Sequence, residues 1–270
     1  MNDAARLLCV RVGDIAVALC VANGDLAKLI ARRYANFLVD PAGADYHFDI
    51  ETIPSTHSLG DPDADVDVRR DGVLWTLARG DFYAQWDMRT QRGLIRQTAN
   101  PYSIDSVLRI VHTLALAPQG GFLLHAASVI RNGKAFLFSG VSGAGKTTIS
   151  RLAPPDTTLL TDEISYVRRG AEGGYIAYGT PFAGDLGRPG ENVKAPLEIV
   201  YLIAHGPANR IDDIATPAEA ARALLGNILF FAHSPDMVAA VFDSALEFVH
   251  KAQIRRLSFL PDARVWEMIG

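Results

Sequence analysis

The stretch from Phe136 to Ser150, FLFSGVSGAGKTTIS, constrains the fold more than any other part of the 270-residue chain. Bulky apolar residues suited to a strand run into Gly140-Val141-Ser142-Gly143-Ala144-Gly145, after which Lys146-Thr147-Thr148 open a helix-like pattern. Glycines let such a loop curl with its backbone N–H groups turned inward. Those groups and the positive end of the following helix make a cage for anions. The pattern G-x-x-x-x-G-K-[ST] is matched without departure, and in the strand–loop–helix setting it requires. Lys146 adds a charge that reaches the β- and γ-phosphates, and Thr147 places a hydroxyl on Mg²⁺. Gly140 to Thr148 are therefore the expected binding residues for a nucleoside triphosphate or a similar polyphosphate with Mg²⁺; the loop does not select the purine, and ATP is taken as the cofactor on general grounds.

The rest of the chain limits the alternatives. A hydrophobic content of 49% with 21% charged residues is that of an ordinary globular chain, and a net charge of −4 gives no pull towards nucleic acid or an anionic membrane. The start, MNDAARLLCVRVGD, carries charges where a signal peptide needs an apolar core. The longest uncharged stretch, Thr113 to Ile130, is interrupted by Pro118, Gly120, Gly121 and His125. The expectation is a cytoplasmic protein with no membrane and no nucleic-acid partner. Cys9 and Cys20 make no disulfide framework, and the histidines show no zinc-ligand spacing with them. Trp75, Trp86 and Trp266 are expected to pack rather than react.

Hydrophobic spacing divides the chain in two. Residues 6–22 predict two strands about Gly13-Asp14, and Asp25 is placed to cap a helix over 26–38. Tyr46 to Ile53 alternates as a strand does, and 57–72 is a polar connection around a short edge strand. VLWTLA, FYAQWDM and GLIRQTA follow as three short strands, and Ser103 starts a helix. Residues 1–100 are thus an N-terminal α+β unit and 101–270 a nucleotide-binding domain. In the latter, FLLHAASVI and KAFLFSG predict a hairpin turned at Arg131-Asn132-Gly133, and TTLLTDEISYVRR a strand. GDLGRPGENVKAP predicts a loop and LEIVYLIAHG another strand. Thr216-Pro217-Ala218-Glu219 and Ser234-Pro235 each start a helix, before a closing strand and short helix. Adjacent strand pairs mixed with helices imply an α/β chain of mixed α+β type with a mixed sheet.

Asp162-Glu163 lie only 16 residues after Lys146, at the end of a strand-like TLLT. One carboxylate can hold Mg²⁺ and the other can take the proton of an attacking hydroxyl, since phosphoryl transfer needs mainly positioning and charge neutralisation. A solvated strand end is the plain alternative. His125, in an apolar strand, is on its own more often a core histidine. Arg188 and Lys194 sit in a glycine- and proline-rich loop that either closes over the γ-phosphate, Arg188 supplying a transition-state cation, or stays solvated.

HAASV…KAFLFSGVSGAGKTT…TLLTDEISYV resembles the core of the HPr kinase/phosphorylase and ATP-type phosphoenolpyruvate carboxykinase superfamily. Gly179 to Phe182, GTPF, is similar to a stretch in uncharacterised bacterial HPr-kinase-related proteins, and the resemblance covers about residues 122–205. It implies a P-loop kinase-like domain preceded by a smaller unit. By the same resemblance Lys146 and Thr147 bind phosphate and Mg²⁺, and Asp162 is the proton acceptor or a metal partner. Glu163 becomes a metal partner, His125 a neighbour of the γ-phosphate, and the chain a homo-oligomer. The second acid is Glu where those kinases carry Asp, and their arginine- and glycine-rich signature is not recognisable here. The acceptor is therefore left as an unassigned hydroxyl, on a protein or a small molecule. Kinase and nucleotide-responsive binding module, docking a partner through residues 1–100, are the two functions that follow.

Overall fold

A computed structural model describes residues 5–54, 64–231 and 234–270. They divide into two compact units. One runs to Leu114 and takes in the stretch about Phe231–Pro235; the other comprises Ala115–Phe230 and Asp236–Gly270.

The first unit contains β1 (Arg6–Val12), β2 (Ile15–Val21), α1 (Gly24–Arg33), β3 (Tyr46–Thr52), β4 (Asp67–Asp71), β5 (Leu74–Arg79), β6 (Phe82–Asp87), β7 (Arg92–Gln97) and most of α2 (Ser103–Leu116). Its sheet has the order β1-β2-β3-β7-β6-β5-β4. The β2–β3 and β3–β7 pairs are parallel and the rest antiparallel. Parallel neighbours need a crossover, and α1 supplies it between β2 and β3. Alternation puts Leu19, Phe48, Ile50 and Ile95 in the core, with Trp75 stacked on Trp86 at 6.1 Å. The three tryptophans are all buried, as expected of packing residues.

Asn23, not Asp25, caps α1: its side chain accepts from the amides of Asp25 and Leu26 at 3.0 Å. Asp25 falls in the first turn and pairs with Lys28 instead. The helix ends at Arg33, followed by a separate 3-10 turn at Ala35–Phe37. At that end Arg33 donates to Asp105 of α2 at 2.9 Å, and the Tyr34 hydroxyl donates to the same carboxylate. Ser103 Oγ reaches Asp81 at 2.6 Å. These bonds tie the start of α2 to the first unit, which is why the division falls in its last turn and not near residue 100. Of the polar connection expected at 57–72, residues 57–63 lie outside the described residues; β4 is its edge strand.

The second unit contains β8 (Phe122–Arg131), β9 (Lys134–Ser139), α3 (Lys146–Arg151), β10 (Thr158–Thr161), β11 (Ile164–Arg169), β12 (Tyr175–Tyr178), β13 (Lys194–His205), β14 (Arg210–Asp213), α4 (Pro217–Leu225), α5 (Pro235–Lys251) and β15 (Gln253–Phe259). The β8–β9 hairpin turns at Asn132 and Gly133, both with positive φ (52° and 75°), the combination that matches strand twist. Strand β9 is parallel to β13, which is parallel to β15. β8 also pairs with β10 and β11, and β12 bridges β11 to β13. Five strands, β8, β9, β13, β12 and β11, therefore close a ring of backbone pairing. Ile149 of α3 and Trp266 pack on one side of this mixed sheet, with Phe138, Tyr201 and Phe259. Leu224 of α4 and Phe248 of α5 pack on the other, with Leu124, Leu137 and Val200.

Two sequence expectations change here. The strand expected over 157–169 is two strands, because the Thr161 hydroxyl accepts from the amides of Glu163 and Ile164 and turns the chain. β13 starts at Lys194, whose ammonium lies over the Tyr178 ring at 5.2 Å, so this lysine is not a loop residue. The charged RIDD segment, with no assignment from sequence, forms β14. Thr216 caps α4 as its capping box predicts. No helix among the described residues is long and apolar enough to cross a membrane.

Candidate functional site

The glycine-rich loop leaves the end of β9 and enters α3 through Gly145. Gly145 has φ +105°, and a Cβ there would lie 2.7 Å from the Phe259 ring. Both facts require glycine at this position. Val141 forms the exposed outer part of the loop, and Ala144 is buried beneath it. Lys146 folds back so that Nζ donates to the carbonyls of Gly140 (2.9 Å) and Val141 (3.2 Å). Burial lowers the pKa of this ammonium, while nearby Glu163 acts in the opposite sense. From β13, His205 places Nε2 at 2.8 Å from the Gly143 carbonyl and stacks on Phe259. A carbonyl only accepts, so Nε2 carries the proton in this contact.

The acidic turn faces this loop. β11 pairs with β8 so that Ile164 sits opposite His125, and Ala126 N donates to Glu163 O at 3.0 Å. His125 and Glu163 thereby come to the same end of the sheet. Asp162 is buried, and its two carboxylate oxygens accept from Gly184 N and Leu186 N, each at 2.8 Å. Gly184 passes so close that a Cβ would meet Asp162 Oδ2 at 3.0 Å and Glu163 Cβ at 2.9 Å. Asp185, between the two donors, lies with Oδ2 3.5 Å from Thr147 Oγ1. Arg151, at the end of α3, donates to the Asp185 carbonyl at 3.4 Å.

One cavity of about 450 Å³ collects these groups: His125, Ser142, Gly143, Gly145, Lys146, Thr147, Thr148, Asp162 and Glu163 line it, together with Arg151, Gly184, Asp185 and His205. Of the expected residues, Gly140, Val141 and Ala144 shape the loop without lining the cavity. Arg188 is not brought to it. Arg188 borders a separate hollow of about 370 Å³ with Leu186, Pro154 and Pro155, and the arginine common to both spaces is Arg151. Four lining residues were missed from sequence: Arg151, read there as a surface residue, Gly184, Asp185 and His205. Their only local signals are a carboxylate between two glycines in GDLG and a histidine closing an apolar strand.

The donor set suits a cation carried in with a nucleotide. Among the described residues no group of three or more His, Cys, Asp or Glu is gathered for a metal. Mg²⁺ needs no such cage, since it keeps waters and takes phosphate oxygens beside one or two protein groups. The Thr147 hydroxyl and the carboxylates of Glu163 and Asp185 line the same space. A polar cavity of this size also falls in the range of small-molecule sites.

Fold and cleft together define a class: a mixed α+β protein in which a glycine-rich strand–loop–helix faces a turn bearing two acids. Within that class the assignment is specific. The family model described as SynChlorMet cassette protein ScmC matches residues 95–269, well over half of the sequence, and the chain belongs to the ScmC family. A solved structure of an Hpr(Ser) kinase/phosphatase from Coxiella burnetii is similar over 47% of this chain and 89% of its own, with 13% identity and a TM-score of 0.25. No match was found among curated proteins.

Proposed function

We propose that the protein is an ATP-dependent kinase that moves the γ-phosphoryl group of Mg–ATP to a hydroxyl, borne by a seryl residue or by a small molecule. What carries this proposal is the convergence of Lys146, Thr147, His125, Asp162 and Glu163 on one cavity, at the mouth of a loop that matches the phosphate-binding pattern in full. The Lys146 ammonium, resting on two loop carbonyls and partly desolvated, gains a stronger partner when phosphate oxygens arrive. Thr147 and Glu163 offer oxygens to Mg²⁺, which when bound neutralises charge on the β- and γ-phosphates. His125 stands beside the acid pair, where it can donate to the transferred group, and one carboxylate lining the cleft receives the acceptor's proton. Arg151 takes the transition-state role expected of Arg188, because it reaches the cleft.

Calorimetric titration with ATP and Mg²⁺, followed by transfer assays with labelled ATP, tests this. Wild type should bind, and Lys146→Ala should lose about 30-fold or more in affinity, as expected for a charged hydrogen bond of about 2 kcal/mol. Equal affinity in the two proteins would remove the phosphate loop from the account. A second reading is favoured by one observation, the engagement of both Asp162 oxygens by backbone amides. It is a binding module that captures a partner only while ATP is held. Nucleotide binding without transfer to any acceptor would select it.

A further inference from the structure

We infer that Asp185 is the carboxylate that completes the Mg–nucleotide site beside Thr147, and that Asp162 is a positioning residue whose two oxygens hold the 184–186 turn in place to deliver it. This rests on the proposal that the cleft takes Mg–nucleotide.

The geometry assigns the two acids different tasks. Gly184 and Leu186 flank Asp185 and both send their amides into the buried Asp162 carboxylate. A peptide pinned on either side of one residue leaves that residue's side chain as the part presented outward. Asp185 is exposed at the cavity wall, its Oδ2 at 3.5 Å from the hydroxyl of Thr147. Two neighbouring oxygens of an octahedral Mg²⁺ with bonds of about 2.05 Å lie about 2.9 Å apart. The observed pair, at 3.5 Å, is about 0.6 Å wider than that separation. The carbonyl of the same residue is met by Arg151, which steadies the turn from the α3 side. Gly184 admits no Cβ against Asp162 and Glu163, so the turn has been fitted closely to the acid pair. Asp162 thus acts on the ligand through Asp185.

The test is calorimetric titration of the full chain with ATP, once with Mg²⁺ and once with EDTA, for wild type, Asp185→Asn and Asp162→Asn. Asp185→Asn should lower the affinity for Mg–ATP about 10-fold or more, the usual range for groups that support a metal site. Without metal the same variant should bind ATP as well as wild type or more tightly, because a negative charge facing the phosphates has gone. That opposite sign is something a merely structural role does not produce. Asp162→Asn keeps one accepting oxygen and loses the other, and should show the same loss of Mg²⁺ enhancement. Unchanged affinities for Asp185→Asn, or an equal loss with and without metal, overturn the assignment. Transfer abolished in Asp162→Asn with the Mg²⁺ enhancement intact overturns the positioning role and makes Asp162 the proton acceptor. Wild type that takes no ATP in either condition defeats the kinase proposal, and this inference with it.

Discussion

Two buried aspartates, one in each unit, are satisfied in opposite ways. Asp105 in the first unit is met by the guanidinium of Arg33 and the hydroxyl of Tyr34, so a side-chain cation answers its charge. Asp162 in the second is met by two backbone amides. Both arrangements remove the cost of an unpaired buried acid. They leave different surroundings. The Asp105 cluster has spent its cation on fold. The Asp162 carboxylate itself uses none, and Lys146 and Arg151, held by backbone carbonyls, both line the cavity.

The largest expected effect falls on the first cluster. Asp105→Ala should cost about 3–5 kcal/mol in denaturant unfolding, since it strands a half-buried arginine, while ATP titration of the cleft stays as in wild type. A loss under 1 kcal/mol, or an altered titration, would erase the distinction drawn between the two acids. Asp162→Ala should cost less, about 2–3 kcal/mol, from hydrogen bonds to a charged group. Its signature is faster amide exchange confined to Gly184 and Leu186. Exchange spread through β10 and β11 would mean that the acid supports the sheet and not the turn.

A third test uses acidity. Burial lowers the pKa of His112 in α2 from 6.5 to about 3. Below pH 6.5 the unfolded chain takes up a proton that the folded chain refuses, so stability falls as pH drops from 6.5 towards 3, by up to about 1.4 kcal/mol per pH unit. His112→Gln should flatten this slope, and a slope equal to wild type would refute the assignment. The smallest effect concerns α1. Asn23→Ala should cost about 1 kcal/mol as the loss of a cap, whereas Asp25→Ala should leave the unfolding midpoint in place. The reverse order would restore Asp25 as the cap.

What could be read from sequence follows from how far the deciding contacts reach along the chain. The loop from Gly140 to Thr148 is a local device, and its spacing sets its shape. The paired strands of both units alternate visibly for the same reason. At α1 the signal was local but ambiguous, because Asn23 and Asp25 are both good caps two residues apart. The break at Asp162 was hidden inside a strand-like run, although Thr161 beside two acids is the chemistry of a turn. Asp185 and His205 were out of reach. Asp185 owes its place to bonds between residues 22 and 24 positions apart, and His205 touches a loop 62 positions away. Arg188 was misplaced by the same lack: a flexible-looking segment gave no sign that its turn was pinned at one end.

The closed ring of five strands has a consequence for how the cleft could be altered. Three of its contributors, the loop after β9, the turn between β10 and β11, and His205 at the end of β13, leave strands that belong to the ring or border it. In an open sheet, slippage at one ladder would be absorbed at the edge. Here a one-residue slip of β12 would have to be matched by β13 against β9, shifting the root of the glycine-rich loop as well. Loops can be exchanged on such a hoop with little risk to the frame. An insertion within β12, far from any ligand, should behave as a mutation of the cleft.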